Sequence, residues 1–342
     1  MKLPLKLNNE NDTYYNCKKP YSYGASFIGI DGPRGPGKST TFIIDMLHQC
    51  EKGHQFVWLR RYKPEIKELV HKDFLNETLD GIVYKGDGNG GYHVIYGDIV
   101  LGYLIPLVKY RDYKSTQFPK VNRIIFDEAF VRETIAYRYL QDETTSFWEM
   151  VSTIVRTRKD YKIILIGNNE DLFNPYYQFY NVPIFEKVWT DKKRGLYFEH
   201  VEPSEKYKAL QKETPLFAMI SGTSYGDYHY NNTNIKANKD IKVIKKPPNA
   251  NLLFRLEING KTLNCYTYNN TGVKMFIEYR DKIIDDNITY HLAKDNKPNY
   301  YYIDLYKHKL KSFVNKLYYG ENVIYADSEI AGTLFQWVLS NI

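Results

Sequence analysis

Eight consecutive residues, Gly32-Pro33-Arg34-Gly35-Pro36-Gly37-Lys38-Ser39, have the spacing G-x-x-x-x-G-K-[ST]. Glycines spaced this way let several backbone N–H groups converge on one oxyanion, and a following helix adds the partial positive charge of its N-terminus. Gly32, Gly35 and Gly37 would form such a cradle with the amides of Lys38, Ser39 and Thr40. Lys38 would reach the β- and γ-phosphates of a nucleotide such as ATP, and the Ser39 hydroxyl would ligate Mg²⁺. Pro36 withholds one amide from the cradle.

A second motif, Asp127-Glu128, closes the apolar run "RIIFDE". A carboxylate at the end of a buried strand can hold the Mg²⁺ shell beside the phosphate loop, which assigns that role to Asp127. Glu128, expected to point to the other side, is placed to take a proton from an attacking water. A third apolar run, "YKIILIGNN", ends at Asn168-Asn169. Asn168 could sense the γ-phosphate or orient the water; an asparagine in a plain turn looks the same. Ring ATPases also draw a cation from a neighbour, and such an arginine finger is worth about 10³–10⁵ in rate. Arg156 is the first candidate, with Arg158, and Arg60, Arg61 and Lys114 stand behind them.

These groups need a scaffold. "ASFIGI" reads as a buried strand entering the loop, and "STTFIIDMLHQC" carries the 3.6-residue apolar period of a helix leaving it. Between the two motifs there is room for an intervening strand, "HQFVWLRR". "YHVIYGDIVLGYLIPL" reads as a hairpin turning at Tyr96-Gly97-Asp98. "KGDGNGG", before it, reads as a flexible connection or a DNA-facing loop. Residues 183–200 give two more strands around the basic turn Lys192-Lys193-Arg194.

Composition bounds the remainder. The chain has 342 residues, 43% of them hydrophobic, enough for more than one folded domain. No apolar run approaches the about 20 residues that span a bilayer. The N-terminus lacks a signal-peptide core, and three scattered cysteines suit a reducing cytoplasm. A net charge of +7 suits a polyanionic partner. The 33 tyrosines accompany a general drift toward Tyr, Asn, Lys and Ile.

The expected architecture is α/β in three parts. Residues 1–200 form a P-loop ATPase domain with a mainly parallel sheet. Residues 201–243 form a polar linker domain with a short helix in "EPSEKYKALQKET". Residues 244–342 form a small α+β domain of strands closing with helical patterns near 305–318 and 328–340.

The order "GPRGPGKS", "FVWLRRYKPE", "YKSTQFPKVNRIIFDE", "IVRTRKDYKIILIGNN" and "NPYY" resembles the genome-packaging ATPases of phi29-type tailed phages, with a weaker match running to "YYIDLYKHKLKSFVNKLYYGENVIYADSEI". The resemblance implies an additional-strand, catalytic-glutamate ATPase and a C-terminal domain of RNase H-like descent. It further implies a homo-oligomeric ring of five subunits, docked on the portal of an empty procapsid in the host cytoplasm and driving double-stranded DNA inward. Family members also use a structural RNA. On this pattern Lys38 and Ser39 contact phosphate and metal, Asp127 and Glu128 are metal-shell acid and base, Arg156 is the arginine finger, and Lys114 acts between subunits. An FtsK-like or helicase-type translocase, or a portal scaffold that does not cycle, are the alternatives.

An RNase H-like nuclease needs several carboxylates converging on two metals. Glu257, Asp304 and Asp327 make no such series at strand ends, so this domain is expected to be inactive as a nuclease. Its role would be to grip DNA phosphates through Lys245, Lys246, Lys307, Lys309 and Lys311 without reading bases.

Overall fold

The computed structural model describes residues 1–7, 12–131, 137–168, 174–180, 182, 187–223, 244–258, 261–270, 272–279, 289–291, 300–302, 322–326, 330 and 334. The chain forms two compact units, Met1–Ile235 and Lys236–Ile342.

The first unit runs α1 (Lys18–Ser22), β1 (Phe27–Asp31), α2 (Lys38–Glu51), β2 (Gln55–Arg60), α3 (Lys63–His71), β3 (Ile82–Gly86), β4 (Tyr92–Tyr96) and β5 (Ile99–Pro106). After a 3₁₀ turn at Leu107–Tyr113 come β6 (Val121–Asp127), α4 (Glu143–Val155), β7 (Lys162–Ile166), α5 (Pro175–Tyr180), β8 (Val188–Asp191), β9 (Leu196–His200), α6 (Glu205–Lys212) and α7 (Pro215–Ile220). One nine-stranded sheet takes the order β3-β4-β5-β2-β6-β7-β1-β9-β8. The strands from β5 to β9 in that order are parallel, while β3, β4 and β8 add antiparallel edges.

Parallel strands are covered on both faces, which is why β1, β6 and β7 read as near-continuous apolar runs rather than alternating ones. On one face α2 and α3 bury Phe42, Met46, Leu47 and Ile66 against Ile28, Ile30, Trp58, Ile125 and Ile164. On the other, α4 and α5 bury Phe147, Met150, Tyr176 and Tyr177 against Phe27, Leu59, Phe126 and Leu165. Glu65 accepts the Tyr62 amide at 2.6 Å, so the first turn of α3 is tied back to the end of β2.

The strand lying between β1 and β6 in the sheet is β7. β2 lies between the two motifs in sequence but borders the far edge of β6. Ile166 of β7 pairs with Ile30 on one side and Asp127 on the other, which brings the start of the phosphate loop level with the acid. "KGDGNGG", expected as a flexible connection or a DNA-facing loop, carries side-chain contacts of its own. Asp87 accepts the amides of Asn89 and Gly91 at 2.9 Å each and the Tyr113 hydroxyl at 2.5 Å, tying the loop to the 3₁₀ turn. Among the described residues no helix is long and apolar enough to cross a membrane.

The second unit contains β10 (Asn251–Ile258), β11 (Lys261–Asn270), β12 (Gly272–Tyr279), β13 (Thr289–His291), β14 (Tyr300–Tyr302) and β15 (Val323–Tyr325), in the order β14-β13-β10-β11-β12-β15. An antiparallel meander, β10 to β12, carries β13 and then β14 parallel on its first-strand edge and β15 parallel on β12. The helical patterns near 305–318 and 328–340 lie largely outside the described residues.

The core under α4 is aromatic and close-packed. The Phe147 ring is fully buried, stacked on Phe126 at 5.8 Å and edge-on to Tyr176 at 5.5 Å. Phe147→Ala leaves a cavity that these rings cannot collapse into, so it is expected to lower stability by about 3–5 kcal/mol in a urea titration of the full chain. A loss below 1 kcal/mol would contradict this packing.

Candidate nucleotide-binding active site

The carboxyl ends of β1, β2, β6 and β7 surround a cavity of about 280 Å³ lined by the phosphate loop, Arg60, Asp127, Glu128 and Asn168. Open parallel sheets bind ligands at this end because the loops there can diverge around a crevice. Gly37, immediately before α2, has φ of 88° and Gly35 has 94°, a region that favours glycine. At Gly35 a Cβ would also sit 2.0 Å from the Tyr207 hydroxyl, so no side chain fits there unless the Tyr207 side chain moves.

The lysine is turned onto its own loop. Lys38 is 6% exposed, and its Nζ donates to the carbonyl oxygens of Gly32, at 2.9 Å, and Pro33. Burial lowers its ammonium to about 8, against the opposing pull of Asp31 and Asp127. Asp31, at the end of β1, is itself held by the Tyr177 hydroxyl at 2.9 Å and by His200. Burial disfavours the charged imidazolium, but the Asp31 contact outweighs it and the His200 pKa lies above its ordinary value.

The two acids meet the loop and each other through shared partners. Ser39 Oγ donates to Asp127 Oδ1 at 3.2 Å. Arg60, from the end of β2, reaches Asp127 Oδ2 at 2.6 Å through Nη2 and Glu128 Oε2 at 2.6 Å through Nη1. Strand alternation would put neighbouring side chains on opposite faces. Glu128 has already left the strand with φ of 56°, so its carboxylate comes round to the guanidinium that holds Asp127 instead of pointing to the other side. A non-glycine residue enters that region at a cost of about 1–2 kcal/mol. Burial pushes the Asp127 carboxyl above its ordinary range while Arg60 pulls it down. Arg60 Nε is buried with no hydrogen-bond partner.

A magnesium ion fits this donor set. The described residues hold no cluster of three or more His, Cys, Asp or Glu that would cage a metal. One hydroxyl and one carboxylate 3.2 Å apart, completed by phosphate oxygens and water, are what Mg²⁺ uses in nucleotide sites.

The structure thus brings together Gly35, Gly37, Lys38, Ser39, Thr40, Asp127, Glu128 and Asn168 around one cavity. Gly32 stands just behind them, its carbonyl on Lys38. Arg156, Arg158 and Lys114 are not part of this lining. Arg156 caps the far end of α4 with φ of 53°, exposed, its Nη2 3.4 Å from the Thr116 carbonyl. Lys114 pairs with Glu149 at 3.0 Å. Arg158 bonds the carbonyls of Ile154, at 2.6 Å, and Val121, closing the same end of α4. Arg60, the first of a charged pair at the carboxyl end of an apolar strand, lines the cavity and pairs with both acids. In the second unit Lys245 and Lys246 are exposed, with Lys246 Nζ 3.7 Å from the Tyr266 ring centre. Glu257 lies half-buried on β10. Lys307, Lys309, Lys311, Asp304 and Asp327 lie outside the described residues.

Residues 9–323 match the family model of the podovirus DNA encapsidation protein, Gp16, and the chain belongs to that family. The DNA packaging protein of Bacillus phage phi29 is 29% identical over 274 residues, 79% of this chain and 80% of the phage protein. The solved phi28 gp11 DNA packaging motor superposes with a TM-score of 0.68 at 15% identity, over 97% of this chain and 98% of its own. A chain of the phi29 genome packaging motor assembly gives 0.61 at 23% identity, over 97% and 100%. At these identities the two superpositions speak to the fold.

The Lys38 ammonium generates a measurable expectation. Its pKa of about 8 lies below the ordinary lysine value, so at pH 8.8 the empty loop holds it largely neutral. A bound triphosphate restores the charge, and binding at that pH takes up a proton. Calorimetry of a non-hydrolysed ATP analogue in buffers of different ionisation enthalpy should show uptake of up to about one proton, falling toward zero below pH 7. Uptake that does not change across this range would contradict the assignment.

Proposed function

We propose that this member of the podovirus DNA encapsidation family is an ATP-driven motor that moves double-stranded DNA into a preformed capsid through its portal, working as a ring of identical subunits at the portal vertex in the host cytoplasm. The observation that carries the reading is the 3.2 Å contact of Ser39 with Asp127, with Glu128 next in the chain and Lys38 buried behind it. Phosphate cradle, metal-shell acid and base face a single cavity.

Binding requires Lys38 to exchange the Gly32 and Pro33 carbonyls for the β- and γ-phosphates, while the amides from Gly35 to Thr40, Pro36 excepted, close on the β-phosphate. Ser39 and Asp127 would hold Mg²⁺, which would supply charge neutralisation for the phosphates. Glu128 takes the proton of the attacking water on its carboxylate. Arg60 bridges the Asp127 and Glu128 carboxylates and offsets the repulsion between them. Asn168, at the end of β7, orients the water or contacts the γ-phosphate. Arg156 serves the neighbouring subunit's site, with Lys114 and Arg158 beside it. Its distance from its own cavity and its exposed position on α4 suit a group acting in trans.

In this reading residues 1–200 hydrolyse ATP, 201–243 link, and 244–342 grip DNA phosphates through Lys245, Lys246, Lys307, Lys309 and Lys311 without cutting. A structural RNA, as the family uses, is a further partner.

Glu128→Gln tests the base directly. It should bind ATP as the parent does while hydrolysis falls by about 10²–10⁴-fold and packaging into purified empty capsids stops. Parental turnover by this variant would remove Glu128 from the reaction. Mixing Arg156→Ala with Glu128→Gln subunits tests action in trans: each alone is inactive, and the mixture should recover ATPase activity. Recovery no greater than the sum of the two separate proteins would count against Arg156.

A further inference from the structure

The two arginines that end and follow β2 face opposite ways, as neighbours on a strand must. Arg60 enters the cavity; Arg61 enters the core under α4 and is 0% exposed. Its guanidinium takes Glu143 in a fork, Nε to Oε2 at 2.6 Å and Nη2 to Oε1 at 2.7 Å. The remaining donors go to two consecutive peptide carbonyls, Glu128 at 3.2 Å and Ala129 at 3.0 Å, and to the Tyr137 hydroxyl at 3.0 Å. The rings of Phe126, Tyr137 and Tyr139 enclose it at 4.8–5.6 Å. Glu143 is satisfied in turn by the Leu140 amide at 2.9 Å and the Tyr176 hydroxyl at 3.0 Å.

We propose that Arg61 is a positioning residue for hydrolysis: clamped by Glu143, it holds the peptide carbonyls of Glu128 and Ala129 and so fixes the direction in which the Glu128 carboxylate enters the nucleotide cavity. The inference rests on the reading of Glu128 as the base. A buried ion pair is a poor way to stabilise a core, since apolar residues of similar volume usually do as well or better. What apolar residues cannot supply is a planar fork that bonds a carboxylate and two carbonyls at once. Those carbonyls follow directly on the one residue at the strand end whose φ lies in the left-handed region, a conformation that persists only where surrounding structure holds it. The Ala129 amide is held from the other side by the Ile166 carbonyl at 2.8 Å, so the peptide after the base is pinned at both of its polar atoms.

Arg61→Lys keeps the charge but loses the fork, and Glu143→Gln keeps the shape but loses the charge. Each should bind a non-hydrolysed ATP analogue with a Kd within about threefold of the parent while kcat falls by about 100-fold, the loss expected for an ångström of misplacement. A double-mutant cycle separates positioning from general damage. In the Glu128→Gln background Arg61→Lys should cause no further fall in the residual rate, because the group it positions is gone. Parental kcat in both variants, or an equal further loss on top of Glu128→Gln, would overturn the proposal. Should Arg61→Lys not fold, Glu143→Gln decides on the same readouts. If Glu128→Gln itself turns over at the parental rate, it is the base assignment that fails, not the clamp.

Discussion

The contact on which the rest of the first unit depends is the 3.2 Å approach of the Ser39 hydroxyl to the Asp127 carboxylate, across 88 residues of sequence. One group opens α2 and the other closes β6, so the contact exists only if both ends are level and one strand apart. The sheet meets that requirement through β7, whose Ile166 pairs with Ile30 and Asp127 together. The aromatic layer beneath α4 and the aliphatic layer beneath α2 hold this register from both faces. The N-terminus of α2, Asp127 and Glu128 then converge because every central strand runs the same way.

Charge burial is the cost of that convergence. Asp31, Lys38, Arg61, Asp127 and Glu143 are all buried, and each buried charge here has a partner of opposite sign or a hydrogen-bond partner. The balance depends on occupancy: Lys38 turned onto its own loop is poorly solvated, and Arg60 is left with one orphaned donor. A cavity bordered by underused donors is prepared for an anion with several oxygens.

Much of this was legible in the sequence because the signals were local. The phosphate loop, the helix after it, the apolar strands ending in Asp127 and Asn168, the hairpin at Gly97 and the strands around Lys192 all follow from spacing or periodicity within a dozen residues. What was not legible depended on pairing between distant segments. No local pattern says that β7 rather than β2 lies beside β1, because both are short buried strands of similar composition. Glu128 was expected on the opposite face, and only its positive φ brings it back to Arg60. The glycines of "KGDGNGG" suggested freedom, yet Asp87 gathers two amides and a tyrosine hydroxyl and removes it. Arg60 and Arg61 looked like one doubled charge, whereas the strand sends them to opposite sides of the sheet with separate duties.

Helix α4 begins at Glu143, which clamps Arg61 beneath the Glu128 peptide, and Arg156 caps its other end. Thirteen residues make a rod about 20 Å long. Its aromatic bed leaves little room for bending, so a tilt at the first turn reappears as a sideways swing of the guanidinium at the last. One element therefore ties the position of Arg61 to that of Arg156 mechanically, without any diffusing messenger.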